Sequence, residues 1–271
     1  MNNPSKERHV ALISGGKDST ALAIYLRERY PEMEVEYVFC DTHKELPETY
    51  EFLTRLEAFL EQPIVRLCSD QGERGFDHWL QLYRNFLPSP SVRWCTRQLK
   101  IKPFEDYVGD DPVRLYVGIR ADENREGYIS TKPNISPIFP FREDGIKKSD
   151  VMRILQESGV GLPKYYRWRS RSGCYFCFFQ RRSEWVGLKE NHPELYELAK
   201  DYEKPEEGYT WAERESLDDI EQPERMESIK SEEQKRRGQA ATRRKPQTLA
   251  ELFAPELIDP DDEGGCLICH L

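Results

Sequence analysis

The sequence predicts an α/β fold built around a doubly wound parallel sheet. Short apolar runs with the length of buried strands alternate with segments of helical periodicity through the first half of the chain. A glycine turn joins the first strand to the first helix, and polar residues follow the second strand. Both features are typical of the sheet edge where ligands bind. The predicted strands are residues 10–13, 35–40, 63–67 and 113–117.

The glycine turn, with the sequence Ser-Gly-Gly-Lys-Asp-Ser, is predicted to cradle phosphates. Paired glycines let backbone N–H groups approach an anion without a Cβ in the way. The helix predicted for residues 19–29 adds its partial positive charge, and Lys17 adds a full one. Lys17 is expected on the β- and γ-phosphates of a nucleotide, and Asp18 is expected to orient the loop or a metal ion. The candidate residues are Ser14, Gly15, Gly16, Lys17, Asp18 and Ser19.

Composition narrows the class of protein. The chain has 271 residues, a net charge of −9 and seven cysteines, and no run approaches the length of a membrane span. We therefore expect a cytoplasmic protein whose cysteines serve metal or sulfur chemistry rather than disulfides. The negative charge argues against a simple electrostatic DNA-binder, so any contact with nucleic acid must come from a local basic patch or a partner.

Further helices are predicted for residues 47–60, 75–86, 149–157, 183–188 and 195–202. Beyond about residue 203 charged residues dominate, which predicts a helical or flexible tail rather than a second domain. The predicted division is a nucleotide-binding α/β domain over residues 1–145, a cluster-binding helical extension over 146–203 and a charged, partly flexible tail over 204–271.

The glycine turn resembles the signature of the PP-loop ATP pyrophosphatases, although an ordinary glycine turn opening a Rossmann-like helix stays open. Residues 39–50 resemble the segment after the second strand in the phosphoadenylyl-sulfate (PAPS) reductase branch of that family. This resemblance implies that Asp41 and Thr42 lie at the nucleotide. The Gly-Ile-Arg sequence at 118–120 also resembles that branch, which implies that Arg120, with Arg125, faces the nucleotide phosphates. The alternative makes both arginines solvated surface charges.

Three cysteines match the resemblance further. Adenylyl-sulfate reductases of this branch bind a [4Fe–4S] cluster through a Cys-Cys pair and a later Cys-x-x-Cys, and Cys95, Cys174 and Cys177 align with three of these ligands. Thr96 stands at the fourth position, so the resemblance implies a cluster with one open iron. A fourth thiolate from the terminal pair Cys266 and Cys269 is an alternative. So are a zinc site formed by the two Cys-x-x-Cys pairs, and no metal at all.

Residues 164–182 contain six basic residues, seven aromatic residues and no acid. Basic side chains neutralise phosphates and aromatic rings stack on bases, so Arg167, Arg169 and Arg171 are predicted to hold a nucleic-acid backbone beside the cysteines. An aromatic core with solvated arginines is the alternative. The terminal pair Cys266 and Cys269 would relay sulfur, or belong to an inert tail.

Taken together, the residues resemble the DndC- and SspD-type proteins, the PP-loop subunits of bacterial DNA phosphorothioation systems. The resemblance implies an enzyme that uses ATP and Mg²⁺ to adenylate an acceptor, releases AMP and pyrophosphate, and inserts sulfur into the DNA backbone. It also implies a cysteine desulfurase as sulfur donor and further subunits on DNA, and leaves a homo-oligomer open. PAPS or adenylyl-sulfate reductase, a tRNA thiolation enzyme and a non-catalytic nucleotide-binding module are the alternatives.

Overall fold

A computed structural model describes residues 7–69, 74–124 and 131–243 and contains a five-stranded sheet in which every strand is parallel to its neighbours. The strand order is β3-β2-β1-β4-β5, so the chain runs outward from β1 to one edge and then returns to build the other. The direction of winding reverses between β1 and β4. The strands are β1 (Arg8–Leu12), β2 (Val35–Cys40), β3 (Val65–Leu67), β4 (Val113–Tyr116) and β5 (Ile135–Ile138).

The helices include those that the sequence predicts, with shifted ends. The long ones are α1 (Lys17–Arg29), α2 (Pro47–Leu60), α7 (Lys148–Glu157), α8 (Arg182–Asn191), α9 (Pro193–Lys200) and α11 (Pro223–Arg243). The short ones are α3 (Phe76–Leu82), α4 (Trp94–Thr96), α5 (Lys102–Val108), α6 (Pro140–Glu143) and α10 (Leu217–Ile220). A π-helical turn, Arg97–Ile101, joins α4 to α5. No helix among the described residues is long and apolar enough to cross a membrane.

Both faces of the sheet are buried, because successive side chains of a strand point to opposite sides. Ala11 and Ile13 pack in a cluster that contains residues of α1, α2 and α7. Val10 and Leu12 pack on the other side, in a cluster that contains residues of α5 and β4. This arrangement confirms the predicted parallel α/β fold. Strand β5 is absent from the prediction, since Pro137 interrupts its apolar pattern and suits an edge strand.

A third, aromatic cluster lies beyond the sheet and includes the part of the chain expected to form a charged tail. Trp211, Leu217 and Ile220 are buried in it. The carboxylate of Glu203 accepts hydrogen bonds from the backbone N–H groups of Trp211 and Leu217 at 2.8 and 2.7 Å. The helices α10 and α11 agree with the helical alternative of the tail prediction for this stretch. Its charged residues pair on the outside, while a few apolar ones contribute to the core. The domain boundaries at 145 and 203 stay predictions.

Candidate functional site

The glycine turn lies at the carboxyl end of β1 and leads into α1, and its two glycines are needed for different reasons. Gly15 has a φ of +72°, which side chains other than glycine rarely adopt. A Cβ on Gly16 would lie 2.7 Å from Ser172 Oγ, so any larger residue there would displace Ser172. Gly16 is also the N-terminal cap of α1, so the N–H groups of the first turn, which have no acceptor within the helix, lie at this edge of the sheet.

The serines of the turn are bonded mainly to each other. Ser19 Oγ accepts a hydrogen bond from the backbone N–H of Ser14 and lies 3.0 Å from its hydroxyl. Ser172 Oγ donates to Ser14 Oγ at 3.1 Å. Both predicted serines therefore hold the shape of the turn, and Ser172, which the sequence reasoning missed, joins them from more than 150 positions along the chain.

Lys17 and Asp18 form an ion pair, with 3.2 Å between Lys17 Nζ and the carboxylate. Asp18 also accepts a hydrogen bond of 2.8 Å from Arg120, which lies in the segment after β4. Because its carboxylate already has two cationic partners, Asp18 is placed to orient Lys17 rather than to act as a bare metal ligand. The turn thus presents a positioned ammonium group beside a helix N-terminus.

Arg120 occupies a different place from the one predicted. Its side chain has no solvent exposure and contacts three carboxylates, Asp18, Asp122 and Glu123, at distances between 2.8 and 3.0 Å. A guanidinium group enclosed in this way does not face nucleotide phosphates, so we correct its role to that of a buried charge that fixes Asp18. Arg125 lies outside the described residues.

Two tyrosines of the basic aromatic stretch form hydrogen bonds with the backbone of the glycine turn, and the sequence analysis did not identify them. The hydroxyl of Tyr165 donates to the carbonyl of Gly15 at 2.9 Å. The hydroxyl of Tyr166 accepts the backbone N–H of Lys17 at 3.0 Å. Burial raises the pKa of both tyrosines, so both keep their protons at neutral pH. The aromatic content of this stretch is thus explained in part by contact with the turn.

The residues after β2 connect the turn to the cysteines. Asp41 Oδ1 accepts hydrogen bonds of 2.8 Å from the backbone N–H of His43 and from the hydroxyl of Tyr50. Thr42 Oγ1 lies 3.2 Å from Cys174 Sγ. Asp41 is therefore held by its own loop at the sheet edge predicted to bind the nucleotide, and Thr42 touches the predicted cluster ligands.

Cys95, Cys174 and Cys177 line one pocket, although Cys95 is far from the other two in sequence. The rest of its lining is mostly apolar and includes Phe76, Pro88, Leu99, Phe176, Phe178, Phe179 and Trp211, with Thr42, Thr96, Lys100 and Gly173 as further members. Burial, and secondarily the charge of Glu45, raise the pKa of the Cys174 thiol well above its usual value.

The donor chemistry of this pocket suits an iron–sulfur cluster, since three thiols line a mostly apolar cavity. Among the described residues no group of three or more His, Cys, Asp or Glu side chains is arranged to hold a single metal ion. A cubane makes a different demand, because its thiolates bind separate irons and need to line a cavity rather than converge on one point. Cys266 and Cys269 lie outside the described residues.

Glu45, a buried carboxylate beside this pocket, is the functional candidate that sequence reasoning missed. Its Oε1 accepts a hydrogen bond of 3.0 Å from Thr42 and lies 3.8 Å from Cys174 Sγ. Burial raises its pKa above the usual value for glutamate, and the nearby charge of Lys100 opposes that rise. Its position three residues after Thr42, at the same sheet edge, is the signal that could have found it.

The three predicted nucleic-acid arginines differ in exposure. Arg169 is 3% exposed, and its guanidinium donates to the carbonyls of Gly173 and Cys174 at 3.0 and 2.8 Å. We therefore correct Arg169 from a phosphate contact to a residue that shapes the cysteine turn. Arg171 is partly buried and donates to the carbonyl of Phe179 at 2.9 Å, while Arg167 is exposed.

Comparison with known proteins agrees with this geometry. The family model of the phosphoadenosine phosphosulfate reductase domain matches residues 8–177, which is more than half of the chain. The chain therefore belongs to the PAPS reductase domain family, within the PP-loop superfamily. The crystal structure of PAPS reductase from Candida auris, in complex with phosphate, matches with a TM-score of 0.50 at 13% identity, over 62% of this chain and 82% of that one. At this identity the likeness shows the fold alone.

Two sequence relatives match this chain over less than half of their own length. The uncharacterized protein MJ0973 of Methanocaldococcus jannaschii is 27% identical over 195 residues, which cover 68% of this chain and 44% of that protein. The tRNA-specific 2-thiouridylase MnmA of Psychrobacter sp. is 26% identical over 168 residues, which cover 58% of this chain and 38% of the enzyme. The chain thus spans less than half of the length of these two relatives.

Proposed function

We propose that this protein is an ATP pyrophosphatase that couples cleavage at the α-phosphate to sulfur transfer, with a nucleic-acid backbone, most specifically that of DNA, as the acceptor. The observation that carries the proposal is the contact between the glycine turn and the cysteine pocket. Ser172 Oγ bonds to Ser14 in the turn, and Cys174 follows Ser172 by two residues. Activation of an acceptor and delivery of sulfur to it would then take place side by side.

The turn would bind the nucleotide through its backbone and one side chain. The first N–H groups of α1 favour an anion, and Lys17 supplies the full positive charge needed by the β- and γ-phosphates. Asp18, held by buried Arg120, keeps Lys17 at the mouth of the turn. Mg²⁺ would enter with the phosphates, which commonly supply much of its coordination together with water.

The proposed reaction has two displacements. An acceptor oxygen attacks the α-phosphorus of ATP, pyrophosphate leaves, and the acceptor carries an adenylate. A sulfur nucleophile then attacks the activated centre, and AMP leaves with the former acceptor oxygen. Neither displacement changes an oxidation state, so the sequence of steps needs ATP and a sulfur donor of the hydrosulfide class.

Cys95, Cys174 and Cys177 would hold a [4Fe–4S] cluster in the apolar pocket, with Thr96 at the position that lacks a thiolate. Such a cluster supplies a binding place for inorganic sulfur when it is present. The protein's own contribution is to keep this place dry and close to the turn. Phe176, Phe178 and other aromatic side chains exclude water, and Arg169 holds the backbone of the cysteine turn.

We propose a nucleic-acid backbone as the sulfur acceptor because of the positive charge and the exposure of two arginines. Arg167 and Arg171 remain the candidates for backbone phosphates, because Arg169 is enclosed. With a net charge of −9 the protein has little general attraction for DNA, so partner subunits would present the DNA and a cysteine desulfurase would supply sulfur. The same site chemistry accommodates thiolation of a tRNA base.

A sulfonucleotide reductase is the second candidate, favoured by the family and by the fold shared with PAPS reductase. In that case the turn would bind the phosphates of PAPS or adenylyl sulfate, and ATP would remain intact.

The test is a reconstituted sulfur-transfer assay with ³⁵S-cysteine, a cysteine desulfurase, a dithiol reductant that releases hydrosulfide from the persulfide and can also reduce PAPS, Mg-ATP and, in parallel reactions, DNA, tRNA or PAPS. The proposal expects label in DNA that depends on ATP. It also expects the double variant Arg167→Ala/Arg171→Ala to lose incorporation and to lower the salt slope of DNA binding by roughly two log–log units. Arg153→Ala, which removes an exposed arginine of α7, is the matched control. Sulfite production from PAPS without ATP cleavage would favour the reductase. Label in tRNA alone would identify tRNA, rather than DNA, as the acceptor.

A further inference from the structure

Two arginines from distant parts of the chain contact Phe179, an aromatic residue that lines the cysteine pocket. The guanidinium group of Arg93 lies 5.1 Å from the centre of the Phe179 ring, and that of Arg171 lies 5.7 Å from it. Arg93 comes two positions before Cys95 in the sequence. Arg171 comes three positions before Cys174. The fold therefore brings two positive charges to the border of the pocket that the three thiols line.

Neither arginine forms an ion pair with a carboxylate within the part of the chain that the structure describes, and both are partly exposed. Their hydrogen bonds go to backbone carbonyls: Arg93 donates to that of Pro90 at 3.0 Å, and Arg171 donates to that of Phe179 at 2.9 Å. The Nε of Arg171 is buried and has no acceptor among the same described residues. A neutral carbonyl satisfies one N–H group but does not neutralise a guanidinium charge, so both side chains keep donors and charge for an external anion.

The aromatic rings at this border favour a nucleic acid over an acidic protein segment as the source of that anion. Guanidinium groups bind phosphates and carboxylates alike, so charge alone does not separate the two. Phe178 and Phe179 are both partly exposed, and their ring centres lie 4.5 Å apart. Aromatic rings beside positive charge are typical of surfaces on which unpaired bases stack while arginines contact the backbone. An acidic peptide needs the arginines alone.

We propose that Arg93 acts with Arg171 to bind the phosphate backbone of the nucleic-acid acceptor at the border of the cysteine pocket. This inference rests on the proposed function and adds a contact residue and a place to it. Arg93 lies outside the basic aromatic stretch, so the composition of that stretch does not reveal it. The arginine pair, Arg93 and Arg171, positions the acceptor beside the site of sulfur delivery and takes no part in making or breaking bonds.

The experiment is fluorescence anisotropy of a labelled DNA oligonucleotide with an unpaired segment, titrated with full-length protein over a series of salt concentrations. Arg93→Ala should weaken binding a few-fold at low salt and make the log–log salt slope less negative by roughly 0.7–0.9, the contribution of one phosphate contact. Arg93→Lys keeps the charge but lacks the planar fork, so it should bind more weakly with the slope of wild type. Arg55→Ala is the matched control, because Arg55 is an exposed arginine of α2 that contacts the ring of Phe52 at 5.2 Å.

The outcomes separate this inference from the proposed function. A wild-type salt slope in Arg93→Ala, with the variant confirmed as folded by circular dichroism, overturns the role of Arg93, whatever its melting temperature. A wild-type protein that binds no oligonucleotide at the lowest salt overturns the arginine pair, and the reconstituted sulfur-transfer assay then decides separately on the proposed function. Polyglutamate that binds as tightly as DNA, and loses as much affinity in Arg93→Ala, would identify an acidic protein as the partner instead.

Discussion

Replacement of Arg120 by alanine tests whether this arginine is a buried structural charge or a ligand of the nucleotide phosphates. The arginine has no solvent exposure, and two of its three carboxylate partners, Asp18 and Glu123, have side chains only 2% exposed. Its removal leaves these carboxylates buried without their common cation. Breaking a buried pair by removing one partner costs about 3–5 kcal/mol, because the remaining charge is uncompensated. For a protein of this size, that corresponds to a fall in Tm of roughly 6–20 °C.

The assay is thermal and urea unfolding of the nucleotide-free protein, with ATP binding measured separately on whatever fraction folds. Arg120→Lys is the second variant, because lysine keeps the charge but lacks the fork that reaches several carboxylates at once. We expect it to be intermediate in stability. The control is Arg114→Ala, since Arg114 is an exposed arginine of β4 that pairs with Glu7, and it should cost less than about 1 kcal/mol.

The result that would refute this reasoning is an Arg120→Ala protein with the stability of wild type and a weakened affinity for ATP. That combination would restore the sequence-based role, in which the arginine faces the phosphates.

Three further predictions follow from contacts of the site and the sheet. Gly16→Ala should destabilise the turn by about 1–3 kcal/mol and weaken ATP binding measured by calorimetry, and adding Ser172→Gly should recover part of both losses, because the added Cβ meets Ser172 at 2.7 Å. No recovery would contradict the clash. Tyr165→Phe should cost about 1–3 kcal/mol in urea unfolding, since it leaves a buried carbonyl without its donor; an unchanged midpoint would show that water replaces the hydroxyl. Glu36 has a lowered pKa, chiefly because Arg8 donates to its carboxylate, so its stabilisation is present above the unfolded pKa of about 4.3 and is lost as pH falls through the lower folded value. Glu36→Gln should therefore lower stability by about 1 kcal/mol at neutral pH and by little near about pH 2, and equal losses at both would contradict the ion pair.

The sequence alone was sufficient to predict the parallel sheet and the glycine turn, because both depend on local patterns. Strand β1 contains a short apolar run, β2 is apolar apart from Glu36, and the conformation of Gly15 is required by the turn itself. Strand β5 was missed because Pro137 breaks the pattern that marks a strand, although an edge position tolerates it.

The corrected arginines show what local patterns leave out. Arg120 and Arg169 occur in segments rich in polar residues, a pattern that predicts exposed side chains. In the structure each guanidinium group is buried and contacts oxygen acceptors, which include Asp122 for Arg120 and the carbonyl of Gly173 for Arg169. Ser172 and Tyr166 are ordinary in sequence and acquire their role only when the chain returns to the turn after more than a hundred residues. Contacts of this kind depend on tertiary packing, and one sequence carries no direct signal of them.

The most direct test of the central claim is the identity of the products formed from ATP. ATP labelled separately at the α- and γ-phosphates is incubated with the anaerobically prepared protein, Mg²⁺, a sulfur donor and DNA, and the products are separated by chromatography. We expect AMP and pyrophosphate in equal amounts, with Lys17→Ala abolishing both and Lys132→Ala, which removes an ammonium group that donates to the carbonyl of Glu105, leaving both unchanged. Release of ADP and orthophosphate, or no cleavage with any acceptor while PAPS is reduced, would contradict it.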